Sequence, residues 1–184
     1  MNLIKKKSNL VIFFIISILL FSCENDIKEV NLLTNLFDEP NLSSKNIEII
    51  QSDSGLINIK LIAPVLNRYD QKKEPYIEFP EGIEIYFYDK EQQIESQLSA
   101  DYSKYWEDEG LWEAKYNVIA INKRGETLNT EYLIWDEKKG TIYSDKFVKV
   151  TDNNGIIYGE GLEASQDLSR WKILNPKGII NFEE

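Results

Sequence analysis

Leu98-Ser99-Ala100-Asp101-Tyr102, followed by Tyr105, Gly110, Trp112, Ala114 and Val118, returns 30 residues later as Leu128-Asn129-Thr130-Glu131-Tyr132, followed by Trp135, Gly140, Ile142, Ser144 and Val148. No residue is inserted between matched positions. Self-similarity at a fixed period marks a chain assembled from one repeated supersecondary unit. Each copy reads as strand, Gly-containing turn, strand, which is a β-hairpin. A lone hairpin cannot bury its apolar face, so neighbouring copies stack to share one. Gly159, Glu160, Leu162 and Ala164 match Gly125, Glu126, Leu128 and Thr130 at a shift of 34 and read as a partial third copy.

Outward from the repeat, the same signals continue. Ile57, Ile59 and Leu61 alternate with polar residues, as do Ile83, Ile85 and Phe87, and Val148 with Val150. Period-two alternation means strands with one buried and one wet face. Asp53-Ser54-Gly55, Arg124-Gly125, Lys139-Gly140, Asn153-Asn154-Gly155 and Pro176-Lys177-Gly178 supply turns between them. The expected fold over residues 46–184 is therefore all-β and antiparallel, a meander of similar hairpins. Pro75-Tyr76-Ile77-Glu78-Phe79-Pro80-Glu81-Gly82 reads as a rigid connection, with contact to a partner as its functional reading.

Alternation also proposes a site. Leu98, Ala100 and Tyr102 form one inward row, with Trp112, Ala114 and Val118 on the next strand; Leu128, Thr130, Tyr132, Ile142, Ser144, Val148, Val150, Leu162 and Ala164 continue it. The small members either interdigitate with large ones in a close-packed core or leave a lengthwise apolar groove for acyl chains, as unfilled β-barrels and sandwiches do.

Composition narrows the chemistry. The chain of 184 residues has a net charge of -10, and after the three lysines of the first 22 residues the remainder carries 18 basic against 31 acidic side chains. So acidic a body repels phosphate backbones, and nucleic acid is not an expected partner. There is no histidine, which removes Ser-His-Asp and Cys-His catalysis and the commonest transition-metal ligand. One cysteine allows neither an internal disulfide nor a cysteine-cluster zinc site. Glu107-Asp108-Glu109 lacks the spacing of a calcium loop, and no phosphate-binding glycine loop or nucleophile elbow is present. A non-enzymatic protein without metal or cofactor is expected.

The N-terminus is an address. Lys5-Lys6-Lys7 precedes the apolar run Leu10–Phe21, too short for a membrane span and suited to a signal segment over residues 1–22. Leu20-Phe21-Ser22-Cys23 resembles a bacterial lipoprotein box, which implies lipidation of Cys23; the other reading is an uncleaved signal anchor. Either places the rest outside the cytoplasm and tied to a membrane. Residues 23–45 are polar and acidic and read as a tether, with Ile27, Val30, Leu33, Leu36 and Phe37 at helical spacing.

Leu128 through Asp136, then Ile142-Tyr143-Ser144-Asp145, Val148-Lys149-Val150 and Gly159-Glu160-Gly161-Leu162-Glu163-Ala164, resemble the LptC family, and Asp53-Ser54-Gly55 leading to Ala63-Pro64 and the Pro75–Gly82 string are similar to its Bacteroidetes-type members. The resemblance spans roughly residues 46–168. It implies an open, twisted β-jelly-roll whose interior cradles the acyl chains of lipopolysaccharide. It also implies receipt of the lipid from the inner-membrane Lpt ABC transporter, delivery to a periplasmic Lpt bridge protein of related fold, and edge-to-edge joining of sheets. The expected location is periplasmic, anchored to the inner membrane. The alternative function is an outer-membrane lipoprotein binding carbohydrate or another lipid, with Trp106, Trp135 and Trp171 as surface stacking platforms.

Overall fold

The computed structural model describes residues 39–181, which form eleven strands and no helix: β1 (Leu42–Asp53), β2 (Leu56–Tyr69), β3 (Tyr76–Phe79), β4 (Ile83–Tyr88), β5 (Ile94–Ala100), β6 (Tyr102–Trp106), β7 (Leu111–Asn122), β8 (Thr127–Asp136), β9 (Thr141–Thr151), β10 (Gly155–Ser165) and β11 (Trp171–Asn181). The signal segment, Cys23 and the helical-spaced residues of the tether lie outside the described residues. β1 begins at Leu42, a few residues before the boundary read from composition.

The sequence period is a lateral register. Leu98 pairs with Ala120, and Ala120 with Leu128. Tyr105 pairs with Trp112, and Trp112 with Trp135. Residues 30 apart therefore stand two strands apart at the same height, and the two copies share one apolar face. The partial third copy does not keep its shift: Leu128 stands level with Val150 and then Ile157, not with Leu162.

All pairings are antiparallel. β3 and β4 form one strand line, broken at Pro80-Glu81-Gly82, because both pair with β2. β5 and β6 form another, broken at Asp101, because both pair with β7. The Pro75–Gly82 string is thus not a plain loop: Tyr76–Phe79 is held between β2 and β6, and Phe79 is among the most buried side chains. The sheet becomes a meander of nine strand lines, ending in β1 on one side and β11 on the other.

The breaks share one transverse band. β7 bulges at Tyr116 and Asn117, both at positive φ, where the pairing with β8 shifts; β8 shifts against β9 between Thr130 and Ile134; β10 kinks at Gly161. β1 has Asn46 at φ 51°, and the β3/β4 line turns at Gly82. Bulges bend strands and allow a sheet to turn a corner. Here they let one half of the sheet fold over the other in a jelly-roll-like arrangement. The Phe87 ring from one half meets the Trp135 ring from the other edge-on, with centroids 5.1 Å apart. Asn122 Nδ2 donates across the same gap to Leu168 O at 3.0 Å.

Gly82 is needed at its corner. Its φ is +97°, and an added Cβ would stand 3.0 Å from the backbone oxygen of Ala100. Gly82→Ala is expected to lower unfolding free energy by roughly 1–3 kcal/mol, read as a lower urea midpoint.

Candidate functional site

The inner face is built from two cross-strand rows. Ile49, Leu61, Ile85, Leu98, Ala120, Leu128, Val150, Ile157 and Ile179 are successive partners from β1 to β11. Beyond the bulge band, Ile77, Tyr105, Trp112, Trp135, Ile142, Ala164 and Trp171 are successive partners. One row is aliphatic and the other aromatic, and the fold-over brings the two halves together.

Of the alternation-derived row, Leu98, Ala100, Ala114, Val118, Leu128, Thr130, Ile142, Ser144, Val148, Val150, Leu162 and Ala164 are buried, and Trp112 packs against the same core. Tyr102 and Tyr132 do not belong to it. Both pair with Lys115, on the face opposite Trp112 and Ala114. The cause is one residue in each strand line, Asp101 or Glu131, that falls in the bulge band and reverses the alternation beyond it. Asp101 N donates to Tyr116 O, and Glu131 accepts from Asn117 N. The inward places pass to Ser103 and Tyr105 in β6 and to Leu133 and Trp135 in β8. Trp135, expected on the surface, is 2% exposed. The signal was the apolar triplet Leu133-Ile134-Trp135, which breaks strict alternation.

On the outer face Tyr102 donates to Glu78 at 2.6 Å, and Lys115 stands near both the Tyr102 and Tyr132 rings while pairing with Glu113 at 2.8 Å. Burial, then Glu113, pushes the Tyr132 hydroxyl up to about 12, so it stays a neutral donor.

The small polar members of the inner row serve the bulge. Thr130 Oγ1 donates to Phe147 O at 2.9 Å, and Ser144 Oγ donates to Tyr132 O at 2.7 Å. These bonds satisfy carbonyls that the irregular ladder leaves over. Between the halves lies a cavity of about 10 Å³ bounded by Leu128, Val150, Leu168 and Trp171. Larger clefts open to solvent, one of about 620 Å³ beside Tyr143, Ala164 and Trp171, one of about 500 Å³ beside Val118, Thr130 and Phe147, and one of about 480 Å³ beside Ile47, Ala63 and Ala100. In this conformation the inner face is closed on itself.

The aliphatic row runs out to both margins of the sheet. Among the described residues β1 pairs only with β2 and β11 only with β10, and their inward residues Ile49 and Ile179 are 45% and 66% exposed. The turn before β8 closes one end through Glu126, which accepts from Trp171 Nε1 at the start of β11 at 3.1 Å, Asn122 Nδ2 at 2.7 Å and Arg124 Nη2 at 2.7 Å. These donors, Arg124 foremost, hold its carboxyl below the ordinary value of 4.5. A depressed folded-state value contributes stability above 4.5 that is lost as pH falls through the folded value. Acidification below that range is expected to shift Trp171 fluorescence, and Glu126→Gln is expected to flatten the shift.

Fold and inner face together define a class: a folded-over antiparallel sheet with one continuous apolar face and, among the described residues, two margins paired on one side. The family model for lipopolysaccharide-assembly, LptC-related proteins matches residues 9–180, and the chain belongs to that family. The family functions in lipopolysaccharide transport as a periplasmic, inner-membrane-anchored component and is not known as an enzyme. Compared with the curated proteins, the sequence matches none. Among the described residues no helix is long and apolar enough to cross a membrane.

Proposed function

We propose that this chain accepts lipopolysaccharide from the inner-membrane Lpt ABC transporter and passes it to the periplasmic Lpt bridge protein, its acyl chains lodged on the inner face. The observation that carries the reading is the aliphatic row that begins at Ile49 and ends at Ile179, apolar along its whole length and half-exposed at both ends. Because that face is closed, loading requires the two halves to part, and the transporter's ATP hydrolysis supplies the work. Each buried CH₂ stabilises the bound chain by roughly 0.8 kcal/mol; recovering apolar contact between the halves on release offsets part of that.

The unpaired margins suit partners that extend the sheet, since a strand edge carries free N–H and C=O groups. Among the described residues β1 and β11 are the two such strands, one for each neighbour in the relay. Cys23 lipidation, or retention of residues 1–22 as a signal anchor, ties the domain to the inner membrane.

The test is site-specific photocrosslinking in cells. Probes at Leu133 and Val150 are expected to capture lipopolysaccharide, while a probe at the outward Lys115 is not. Probes at Ile50 and Ile180 are expected to capture protein, each a different Lpt component. Inner probes that capture only this chain would remove the acyl-carrying role.

A further inference from the structure

Trp112 Nε1 is the buried side-chain nitrogen or oxygen that has no hydrogen-bond partner among the described residues. Its counterparts are satisfied: Trp135 Nε1 donates to Gln166 Oε1 at 3.0 Å, and Trp171 Nε1 to Glu126 Oε2 at 3.1 Å. The Trp112 ring is flanked by Tyr105, Trp135 and Phe79, with centroids 4.1, 5.7 and 5.8 Å away and planes within 20° of parallel. These rings cover the faces of the indole, while the N–H at its edge meets no acceptor among the described residues. Leaving a buried donor unmade is costly, and native proteins seldom do so without use. Packing alone does not require it: the repeat-equivalent position on β9 is Ile142, which fills the same inner row with no polar atom.

We propose that Trp112 Nε1 is a donor for the carbonyl oxygen of the ester or amide that joins an acyl chain to its headgroup. The proposal rests on the reading that acyl chains enter the inner face, and adds where along the chain they stop. A hydrocarbon tail brings no acceptor into an apolar slot. The first acceptor to arrive is the acyl carbonyl, and meeting it relieves the orphaned N–H. The bond thus sets the depth of insertion, with tails beyond the slot and headgroup outside it. It also selects lipids whose chains are joined through a carbonyl over those joined through an ether oxygen, a poorer acceptor that carries one substituent more.

The test uses the full chain and two probes of equal chain length, a short-chain diester phosphatidylcholine and its diether, each kept monomeric. Wild type is expected to bind the diester about 5- to 10-fold more tightly, in keeping with one hydrogen bond gained in a dry site. Trp112→Phe keeps an aromatic ring and is expected to lose that preference, whereas Trp106→Phe, on the outer face of β6 beside Lys104, is expected to keep it. On unsubstituted protein, the Trp112 indole N–H resonance is expected to move downfield with the diester and not with the diether, a readout independent of any variant. Equal binding of the two probes by wild type, or a preference that survives in Trp112→Phe, would overturn the assignment and leave the N–H to a trapped water. If neither probe binds, the acyl-carrying reading falls and takes the donor assignment with it.

Discussion

Replacing Trp135 by alanine is expected to cost about 3–5 kcal/mol, while Tyr132→Ala, three residues earlier on the same strand, is expected to cost only about 1 kcal/mol. The contrast follows from the bulge at Glu131. Trp135 points into the space between the two halves, where it stacks on Trp112 and meets Phe87, and its Nε1 anchors Gln166 in the loop before β11. Alanine would open a large cavity at a place where both halves and that loop converge. It would also leave Gln166 Oε1 without its donor. Tyr132 points outward and loses at most a contact with Glu113 and the neighbouring lysine cations. Domains are stable by only 5–15 kcal/mol in general, so the first variant stands to lose a large share of its folded population and the second little. Urea unfolding of the two decides between two registers of β8. Equal losses would mean that alternation runs unbroken from Leu128 through Tyr132 and that the bulge is absent.

That pair of residues marks where sequence reading succeeds and where it stops. The 30-residue period was readable because the hairpins are register-equivalent: Leu98, Ala120 and Leu128 stand in line, as do Tyr105, Trp112 and Trp135. Turn chemistry was readable too, with Gly110 and Gly140 at positive φ in matched turns. The bulge band was not. On β7 it is built on Tyr116 and Asn117, and a tyrosine at positive φ is nothing that composition announces. Without the band, Asp101 and Glu131 read as ordinary outward residues, and each strand line keeps the wrong parity past them. Phe79 was missed for a related reason, since flanking Pro75 and Pro80 suggested a connection where a short strand fills a place between β2 and β6.

The candidate site was legible as a set of apolar positions but not as a space. Thr130 and Ser144 looked small enough to leave a groove, yet their hydroxyls are spent on the carbonyls of the bulge. Room inside depends on how far one half folds over the other, which is a property of the bend and not of any one strand. The margins were hidden as well. β1 begins in Leu42-Ser43-Ser44-Lys45, a polar stretch that shows no alternation, because a strand paired on one side only need not bury either face.

Locking the two halves together is expected to abolish lipid uptake while leaving the fold intact. Ser96 Oγ on β5 lies 3.5 Å from the backbone oxygen of Gln166, on the opposite side of the closed interior. Cysteines placed at both positions in the full chain, joined by oxidation or a short bifunctional thiol reagent, would tie β5 to the loop before β11. If acyl chains enter by parting the halves, binding of a fluorescent acyl probe should fall at least about tenfold in the linked form, a difference of about 1.4 kcal/mol. Reduction of the oxidised form should restore it. Each single cysteine variant under the same treatment controls for Cys23 and for the substitution itself. A linked protein that loads lipid as well as the reduced one would show that acyl chains reach their site without separation of the halves. Entry would then run from the half-exposed margins at Ile49 and Ile179 or from the larger clefts, and not between the halves.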